Sequence, residues 1–530
     1  MTARQPTTTE VKLPSLPAGE IAGWSRAHLE AVVAIESSSD ETSTAVPSTQ
    51  GQRDLSAYLE RFFGAQGCDV SVDEYANVIA RLDGRGAHAE LPPLALMIHL
   101  DTARGTEARE GLELLPAWDG TRIPYPDNEG LQVSVENYPC TIGYLGQDLL
   151  HGGGKAPFGL DDKLGLAHMM TLAKVLADAP EIPHRPILFI GRPDEEIGRE
   201  EALIGLAQWL AEQGVESGYT VDGLDPFEVN VENFNGMAVT VRIPDPSPVP
   251  PSTRETGRGV ALTLLGVNTH GATAKAEGHR GAVRFAAELM GALAGQSVVV
   301  LGFESDAMRD CDGVLQLWLG DDAAGVALDT ALAQIVGPHL PRGAGWSLAD
   351  ADVSPLNAEG AAAEQMLAFV RTFMASRRDA PLMCEDSDGF EGYTYPHRAR
   401  RVGGRLQLDF RIRDFDRGVL ETRRDELTAL AKAEISGVEV EATEQYGNMA
   451  PKLEHRGDLL DNALAAARDI DIEAKRAPIR GGTGVDPFLD RGVFVANLGT
   501  GYFAPESEKE FTSMQLLAQH ALWLVALVQR

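Results

Sequence analysis

The sequence is poor in cysteine. Its 530 residues include four cysteines, Cys68, Cys140, Cys311 and Cys384, and no two of them form a Cys-x-x-Cys pair. This spacing argues against a zinc site built from thiolates and against a dense disulfide framework. A reducing compartment suits such a chain best, and the first 20 residues lack the apolar segment of a secretory signal. We therefore expect a cytoplasmic protein.

Positive charge and long hydrophobic runs are scarce as well. The chain has 46 Lys and Arg against 78 Asp and Glu, which gives a net charge of −32. Binding to nucleic acid needs a basic face, and electrostatic binding to a membrane needs basic residues too. The longest apolar run near the end, residues 516–528, is interrupted by Gln519 and His520 and is too short to span a bilayer. We expect neither a nucleic acid nor a membrane among the partners.

The length predicts more than one domain, because a single core rarely serves 530 residues. Apolar runs at 94–100, 186–190 and 219–221 look like buried strands, and a helical pattern covers 165–177. Strands that alternate with helices predict an α/β sheet with helices on both faces. After about residue 230, alternating strands and amphipathic helices indicate a second, α+β unit. No internal repeat is visible in the sequence.

Polar side chains gather at the ends of these strands and in the loops between them. They are His99, Asp101, Asp161, Asp162, Glu195, Glu196 and Asp222. Ligands of open α/β sheets bind at the carboxyl ends of the strands, so we expect these side chains to share one cleft. Two bare charges 4 Å apart repel by about 4 kcal/mol at an effective dielectric near 20. A pair of divalent cations would remove that repulsion, and carboxylate and imidazole are suitable ligands.

Each part of this pattern is also common in proteins without a metal site. A His-x-Asp sequence is usually the end of a strand, Glu195-Glu196 can be a solvated helix start, and Asp222-Gly223 can be a turn. The adjacent glutamates would equally suit a division of work between a general base and a metal ligand. From the residues alone, a dinuclear metal site and a set of unrelated surface acids both stay open.

Several short motifs resemble those of a known family. MIHLDT (97–102), GLDDKLG (159–165), PDEEIG (193–198) and YTVDG (219–223) are similar to the metal-site motifs of the M20 family of dinuclear zinc peptidases, most nearly its peptidase T (tripeptide aminopeptidase) branch. Supporting stretches are VPSTQGQ (46–52), VENFN (231–235), NTHGATAK (268–275), RIRDFDR (411–417), YGNM (446–449), PIRGGT (478–483) and KEF (509–511). The resemblance implies an α/β fold with a three-layer catalytic domain of the zinc-peptidase type. Residues 1–230 and 446–530 would form that domain, and residues 231–445 an inserted α+β lid.

The resemblance implies two divalent metal ions, zinc in the first instance. His99 and Asp222 would bind the first ion, Asp161 would bridge both ions, and Glu196 would bind the second. Asp162 follows the bridging residue and would take part in a strained peptide there.

Catalytic and substrate-binding residues are implied in the same way. Asp101 would hold and orient His99, and Glu195 would be the general base that takes a proton from water. Arg480 would pair with the terminal carboxylate of the substrate. His270, on the lid, would donate to the oxyanion or to a carboxylate when the domains close. Arg480 could equally form a surface salt bridge, and His270 could be an ordinary loop histidine.

The sequence departs from the family at the last metal ligand. The family has a His four residues before a Glu, and here the residue four before Glu510 is Glu506. Glu506 would serve as an oxygen ligand, with Glu508 as the alternative register. An additional carboxylate would favour manganese, magnesium or cobalt over zinc at the second site. Two alternatives stay open: the second ion is weak or absent, or Glu506 lies in a charged surface turn.

Two further departures concern the lid and the substrate loop. The segment of about 295–383 has no counterpart in the peptidase T pattern. We expect it to enlarge the lid, where it would cover the cleft, form an oligomer interface or decorate the surface. Gly484 stands where the related motif continues GGTD, so the fine placement of the substrate is open.

The resemblance, together with the cluster of carboxylates, therefore implies a metal-dependent hydrolase that removes the N-terminal residue from short peptides. Two alternatives remain: an M20-type hydrolase of N-acyl amino acids, which would use the same metals and base, and a catalytically silent binding protein, suggested by Glu506. A homodimer is an open expectation. In some relatives a lid histidine reaches across a dimer, whereas an enlarged lid could do the same within one chain.

Overall fold

The computed structural model describes residues 11–244, 257–268, 278–305, 309, 311–352, 358–376 and 392–530. The strands are β1 (Asp69–Val72), β2 (Val78–Leu82), β3 (Leu94–His99), β4 (Glu113–Leu115), β5 (Leu149–His151), β6 (Ile187–Arg192), β7 (Ser217–Gly223), β8 (Glu228–Asn230), β9 (Asn235–Ile243), β10 (Arg258–Leu265), β11 (Val298–Ser305), β12 (Gly313–Leu319), β13 (Gly345–Asp350), β14 (Tyr393–Val402), β15 (Arg405–Asp414), β16 (Glu439–Tyr446), β17 (Lys475–Arg476), β18 (Phe494–Gly499) and β19 (Phe511–Ser513). The helices are α1 (Ala18–Val33), α2 (Gln50–Ala65), α3 (Leu160–Asp178), α4 (Glu201–Glu212), α5 (Ala282–Ala292), α6 (Asp322–Ile335), α7 (Ala358–Ser376), α8 (Arg417–Glu434), α9 (Ala450–Leu453), α10 (Gly457–Arg468), α11 (Asp486–Leu489) and α12 (Met514–Leu527).

An eight-stranded sheet organises the main domain, which consists of the elements outside β9–β16. Its strand order is β1-β2-β6-β3-β7-β18-β8-β17. Strand β3 runs parallel to β6 and to β7, and β18 runs parallel to β7. Strands β3 (LALMIH) and β6 (ILFIGR) are buried along their whole length, as expected where helices cover both faces of a sheet. The carboxyl ends of these parallel strands therefore meet at one edge.

Helices enclose this sheet and complete the core. Helix α3 packs on β3 and β7, and α1 and α12 pack on α3. Helix α2 covers β1 and β2, α11 covers β18, and α4 packs against α11. The predicted α/β class with an inserted α+β unit is confirmed. Among the described residues, no helix is long and apolar enough to cross a bilayer.

The lid, β9–β16 with its helices, contains two units of the same topology. The host unit consists of β9, α7, β14, β15, α8 and β16, and its sheet has the order β14-β15-β9-β16. The nested unit consists of β10, α5, β11, β12, α6 and β13, and its sheet has the order β11-β12-β10-β13. All six strand pairings are antiparallel. Each unit is thus β-α-β-β-α-β, and the nested unit lies between the first strand and the first helix of the host unit.

Both units contact the main domain and leave a cleft of about 1580 Å³ between them and it. On the host side, Arg398 of β14 pairs with Glu41 at 2.8 Å. On the nested side, the amide of Gln132 donates to the carbonyl of Pro341 at 3.0 Å. The carboxyl edge of the large sheet forms the floor of this cleft, so any group bound there faces both lid units.

Candidate metal centre

The cleft floor brings together the acids and the histidine that the motifs predicted. His99 ends β3, Asp222 lies near the end of β7, and Asp161 lies at the start of α3. Ligand atoms of His99, Asp161 and Glu196 all lie within 4.8 Å of one another, and so do those of His99, Asp162 and Asp222. His99 therefore belongs to two groups of possible metal ligands at once.

His99 is held between carboxylates. Its Nε2 lies 2.9 Å from Asp161 Oδ1 and 3.4 Å from Asp222 Oδ1, and the side chain is almost fully buried. Its Nδ1 donates to the main-chain carbonyl of Asp101 at 2.9 Å. Burial disfavours the charged imidazole, but the charge of Asp222 and hydrogen bonds to the neighbouring carboxylates outweigh it and raise the pKa of His99. A hydrogen bond from Nδ1 fixes the ring and leaves Nε2 for a metal ion, which would take the place of the proton.

Asp101 does more than orient His99. Its side chain is fully buried, and Oδ1 and Oδ2 accept the main-chain amides of Glu195 and Glu196 at 2.9 and 3.0 Å. One carboxylate thereby fixes the two residues to which the sequence assigns the base and a ligand. The motif predicted a role for Asp101 toward His99 alone, because a link to the next strand is not visible in the spacing.

The turn that carries Glu195 and Glu196 is fixed from its other side by Asp194. This residue has a left-handed φ of 58° and is fully buried. Its carboxylate accepts hydrogen bonds from the amide and hydroxyl of Ser48 and from the side-chain amide of Gln52. The stretch VPSTQGQ therefore supports the acidic turn.

Two residues that received no role from the sequence support Asp161. The hydroxyl of Tyr502 donates to Asp161 Oδ2 at 3.1 Å. Glu510 Oε2 accepts the amides of Phe158, Gly159 and Leu160 at 3.1 to 3.4 Å, just before the cis peptide between Asp161 and Asp162. Glu510 belongs to the motif KEF and could have been found there, whereas Tyr502 carries no signal in the sequence.

The electrostatics of the cluster fit a cation. Burial raises the pKa of Asp222 to about 7, and burial together with the charges of Glu506 and Asp161 raises the pKa of Glu196. Glu196 Oε1 and Asp162 Oδ2 are buried and meet no hydrogen-bond donor among the described residues. One imidazole nitrogen and several carboxylate oxygens are suitable donors for divalent ions. The residues present therefore fit a metal site, and a bound cation would offset the burial and the repulsion that raise these pKa values.

Glu506 and Glu508 face different partners. Glu506 lines the cleft and is close enough to Glu196 for its charge to raise the pKa of that residue. Glu508 is buried and points to Lys509 Nζ at 3.0 Å and to Arg309 of the nested unit at 3.5 Å. Neither of the two ligand groups includes Glu506. Of the two registers, the one with Glu506 is the one that faces the candidate site.

Arg480 lies in the same cleft, on the loop that also contributes Gly482 and Gly484 to the lining. The loop is tied to the rest of the chain by a bridge between Ile479 and Asn233. Burial raises the pKa of Tyr393 in the host unit, and the positive charge of Arg480 counteracts part of that rise. Arg480 therefore lies between the main domain and the lid. His270, the other substrate-binding residue implied by the motifs, lies outside the described residues.

Comparisons with known proteins extend over most of the chain. A family model described as Peptidase family M20/M25/M40 matches residues 148–530. Peptidase T of Geobacillus thermodenitrificans is 25% identical over 504 residues, covering 94% of this chain and 95% of that protein. Aminoacylhistidine dipeptidase of Vibrio alginolyticus has a similar fold, with a TM-score of 0.51, 14% identity and 98% of each chain covered. A tripeptidase of Staphylococcus aureus gives a TM-score of 0.50 at 15% identity, over 96% of this chain and 98% of that one.

Proposed function

Because this chain belongs to Peptidase family M20/M25/M40, as its motifs predicted, we propose that it is a metal-dependent hydrolase that removes the N-terminal residue from short peptides. The observation that carries the proposal is the set of contacts around Asp101. Its main chain and carboxylate join the ligand candidate His99 to the base candidate Glu195 and the ligand candidate Glu196. A base held rigidly next to metal ligands is what hydrolysis by activated water requires.

The proposed ligands form two sets that share one residue. His99 and Asp222 would hold the first ion, Glu196 and Glu506 would hold the second, and Asp161 would serve both. Divalent ions in this site would supply Lewis-acid activation of water and of the scissile carbonyl. We assign zinc to the first set, with its imidazole. Manganese or cobalt suits the second set, which offers oxygen atoms alone.

Glu195 is the proposed general base. Its carboxylate lines the cleft beside the ligand cluster, and burial raises its pKa above the usual range. Such a carboxylate takes a proton from water more readily than an exposed one does. It then transfers this proton to the leaving amine, so that the peptide bond breaks without a charged amide nitrogen.

The remaining residues hold the substrate. Arg480 lies in the cleft between the main domain and the host unit, where its planar fork can pair with the terminal carboxylate of a short peptide. His270 is proposed as a donor to the oxyanion from the lid, which we place at residues 231–445. Tyr502 keeps Asp161 in position through the hydrogen bond to Oδ2.

Replacement of the base tests the proposal. The variant Glu195→Gln should lower kcat by about 10²- to 10⁴-fold, because general base catalysis typically contributes that factor. Metal analysis should still find about two divalent ions per chain. The matched control Glu212→Gln changes an exposed glutamate of the nearby helix α4 and should leave kcat unchanged.

A substrate panel completes the test. Tripeptides, N-acyl amino acids and buffer controls are compared with and without a chelator. Release of the N-terminal residue that stops with chelator supports the proposal. Full turnover by Glu195→Gln would refute the assignment of the base, and hydrolysis of N-acyl amino acids alone would favour the alternative substrate class. A chain that holds almost no metal and hydrolyses nothing would be a silent binding protein.

A further inference from the structure

The two lid units meet edge to edge. Strand β11 is an edge strand of the nested sheet, and β14 is an edge strand of the host sheet. At their contact, the buried hydroxyl of Ser305 in β11 accepts the amide of Ala399 in β14 at 2.6 Å and donates to the carbonyl of the same residue at 3.3 Å. These main-chain groups would otherwise stay open at the sheet edge, where another chain could pair with them.

The contact uses the same elements of both units. Counted within each unit, β11 and β14 are both the second strand, so the strands follow the order 4-1-3-2 and then 2-3-1-4 across the boundary. The first helix of each unit crosses over as well. Helix α7 of the host unit packs on β11, α5 of the nested unit packs on β14, and the two helices pack on each other. Contact between equivalent surfaces is the arrangement of a two-fold dimer, here within one chain.

The interface between the units has the character of a protein core. One continuous cluster of buried apolar side chains runs through both units and includes Val300 and Phe303 of β11 and Met366 and Val370 of α7. Gly360, in the first turn of α7, permits this packing, because a β carbon there would clash with the carbonyl oxygen of Val300. Apolar, closely packed interfaces of this kind are typical of permanent association. The nested unit is therefore fixed on the host unit.

The nested unit also holds the loop that carries Glu506. The side-chain amide of Asn268 donates to the carbonyl of Glu506 at 2.8 Å, and Lys509 Nζ donates to the carbonyl of Asn268 at 3.1 Å. Lys509 is 1% exposed and pairs with Glu508 at 3.0 Å, and Glu508 lies 3.5 Å from Arg309. A buried ammonium is costly without such partners, so this contact is a specific one. A lid unit of the same chain thus supports the second ligand set.

We propose that the nested unit takes the place that the lid of a second chain would have in a two-fold dimer, so that each chain is a monomer with a complete site. The host surface that would bind another lid, α7 with the edge of β14, is covered within the chain. At the opposite edge of the host sheet, β16 carries Glu439, Glu441 and Glu444. Charged side chains on an edge strand disfavour pairing with another chain.

The mass in solution is the direct measurement. Sedimentation equilibrium of the full chain, over a wide range of protein concentration, should give the mass of one chain, 56.8 kDa. This result does not depend on turnover, so it decides the inference even if the chain hydrolyses no peptide. A stable mass of two chains overturns the inference and leaves the proposed function in place.

Two defective variants, produced together in one cell, show which chain completes each site. Glu195→Gln removes the proposed base, and His270→Ala removes the proposed donor of the lid. This measurement rests on the proposed function. If each chain completes its own site, the mixture should be no more active than the sum of the two variants. If a lid completed the site of a partner, random pairing would restore about a quarter of the normal activity and overturn the inference.

The interface itself is tested through melting. Gly360→Ala should lower the melting temperature by a few degrees, because it forces α7 away from β11. The control Gly205→Ala, in helix α4, adds a β carbon that meets nothing within 4 Å and should not lower it. For an interface within one chain, the melting temperature should not change with protein concentration in any of these proteins. A melting temperature that rises with concentration would show that the units pair between chains, and it would overturn the inference.

Discussion

The two ends of the ligand cluster are built differently. At the first end, His99 and Asp222 project from adjacent strands of the large sheet, and the fully buried Asp101 joins His99 to the turn that follows β6. At the second end, Glu506 lies on a loop, with a left-handed φ of 55°, and the side-chain amide of Asn268 in the lid donates to its carbonyl at 2.8 Å. The sheet alone sets the first end, whereas the lid helps to set the second.

This difference predicts unequal metal sites. The first end combines an imidazole nitrogen with carboxylates that buried hydrogen bonds hold in place, which suits zinc. The second end has oxygen ligands alone, and one of them depends on the position of a loop, which suits a harder and more weakly bound ion. We therefore expect sequential loss of the two ions when a chelator is added.

The largest effect should follow from removal of the imidazole. His99→Ala should abolish binding of the first ion and lower kcat by more than about 100-fold, because loss of a residue that merely supports a ligand already reaches that range. Glu506→Ala should remove the second ion and leave the first one bound. Metal content per chain measures both outcomes, and the exposed His455→Ala serves as control. Loss of both ions in Glu506→Ala would contradict the independence of the two ends.

A smaller effect should come from making the two ends alike. Glu506→His supplies a nitrogen ligand, so the second site should bind zinc about ten-fold more tightly and manganese more weakly. Competition between the two metals measures the change, and Glu506→Gln, which removes the charge without adding a nitrogen, is the control. If zinc affinity does not change in Glu506→His, then Glu506 is not at the metal site.

The nested unit gives a further way to alter the second end alone. Arg309 of this unit pairs with Asp312 at 2.7 Å and reaches Glu508 at 3.5 Å, in the same loop as Glu506. Arg309→Met should loosen the loop and weaken the second ion by about ten-fold, with the first ion unchanged. Arg258→Met, which breaks an exposed pair with Asp350 in the same sheet, should change neither ion. Equal effects of the two variants would contradict a specific role of the nested unit.

The sequence predicted the first end better than the second, for a physical reason. His99 follows a buried strand directly, so an apolar run and a short motif were enough to locate it. The position of Glu506 depends on contacts of its loop with Asn268 and Arg309, which lie far away along the chain. Whether a loop glutamate faces a cleft or a neighbouring arginine is a matter of tertiary packing. Glu506 and Glu508 could not be separated before the structure.

Other features were missed because they depend on how distant parts of the chain pack together. The host and nested units share strand order and direction, which a comparison of residues along one chain does not detect. The second role of Asp101 depends on the distance between two strands. Arg192, the last residue of β6, received no role from the sequence. Two nitrogen atoms of its buried guanidinium meet no acceptor among the described residues, which only the tertiary packing shows. The bounds of the domains and the roles of the site residues stay predictions.

Acid should produce the smallest effect of this set, through a buried histidine. His168 lies under the loop that leads to Glu506. Its Nε2 donates to the carbonyl of Thr500 at 3.0 Å, and its ring stacks on His520 at 4.9 Å. Burial lowers the pKa of His168 to about 4, against 6.5 for an ordinary histidine. Between these values the unfolded chain binds a proton that the folded chain does not, so stability falls as the pH falls from 6.5 toward 4.

This histidine should contribute about 1 kcal/mol of lost stability between pH 7 and pH 5.5. His168→Gln keeps a donor for Thr500 but has no titrating group, so its melting temperature should fall less than that of the unmodified chain over this interval. The comparison isolates His168, because the other buried histidines remain in both proteins. An equal fall in melting temperature for the two proteins would show that His168 does not couple protonation to this loop.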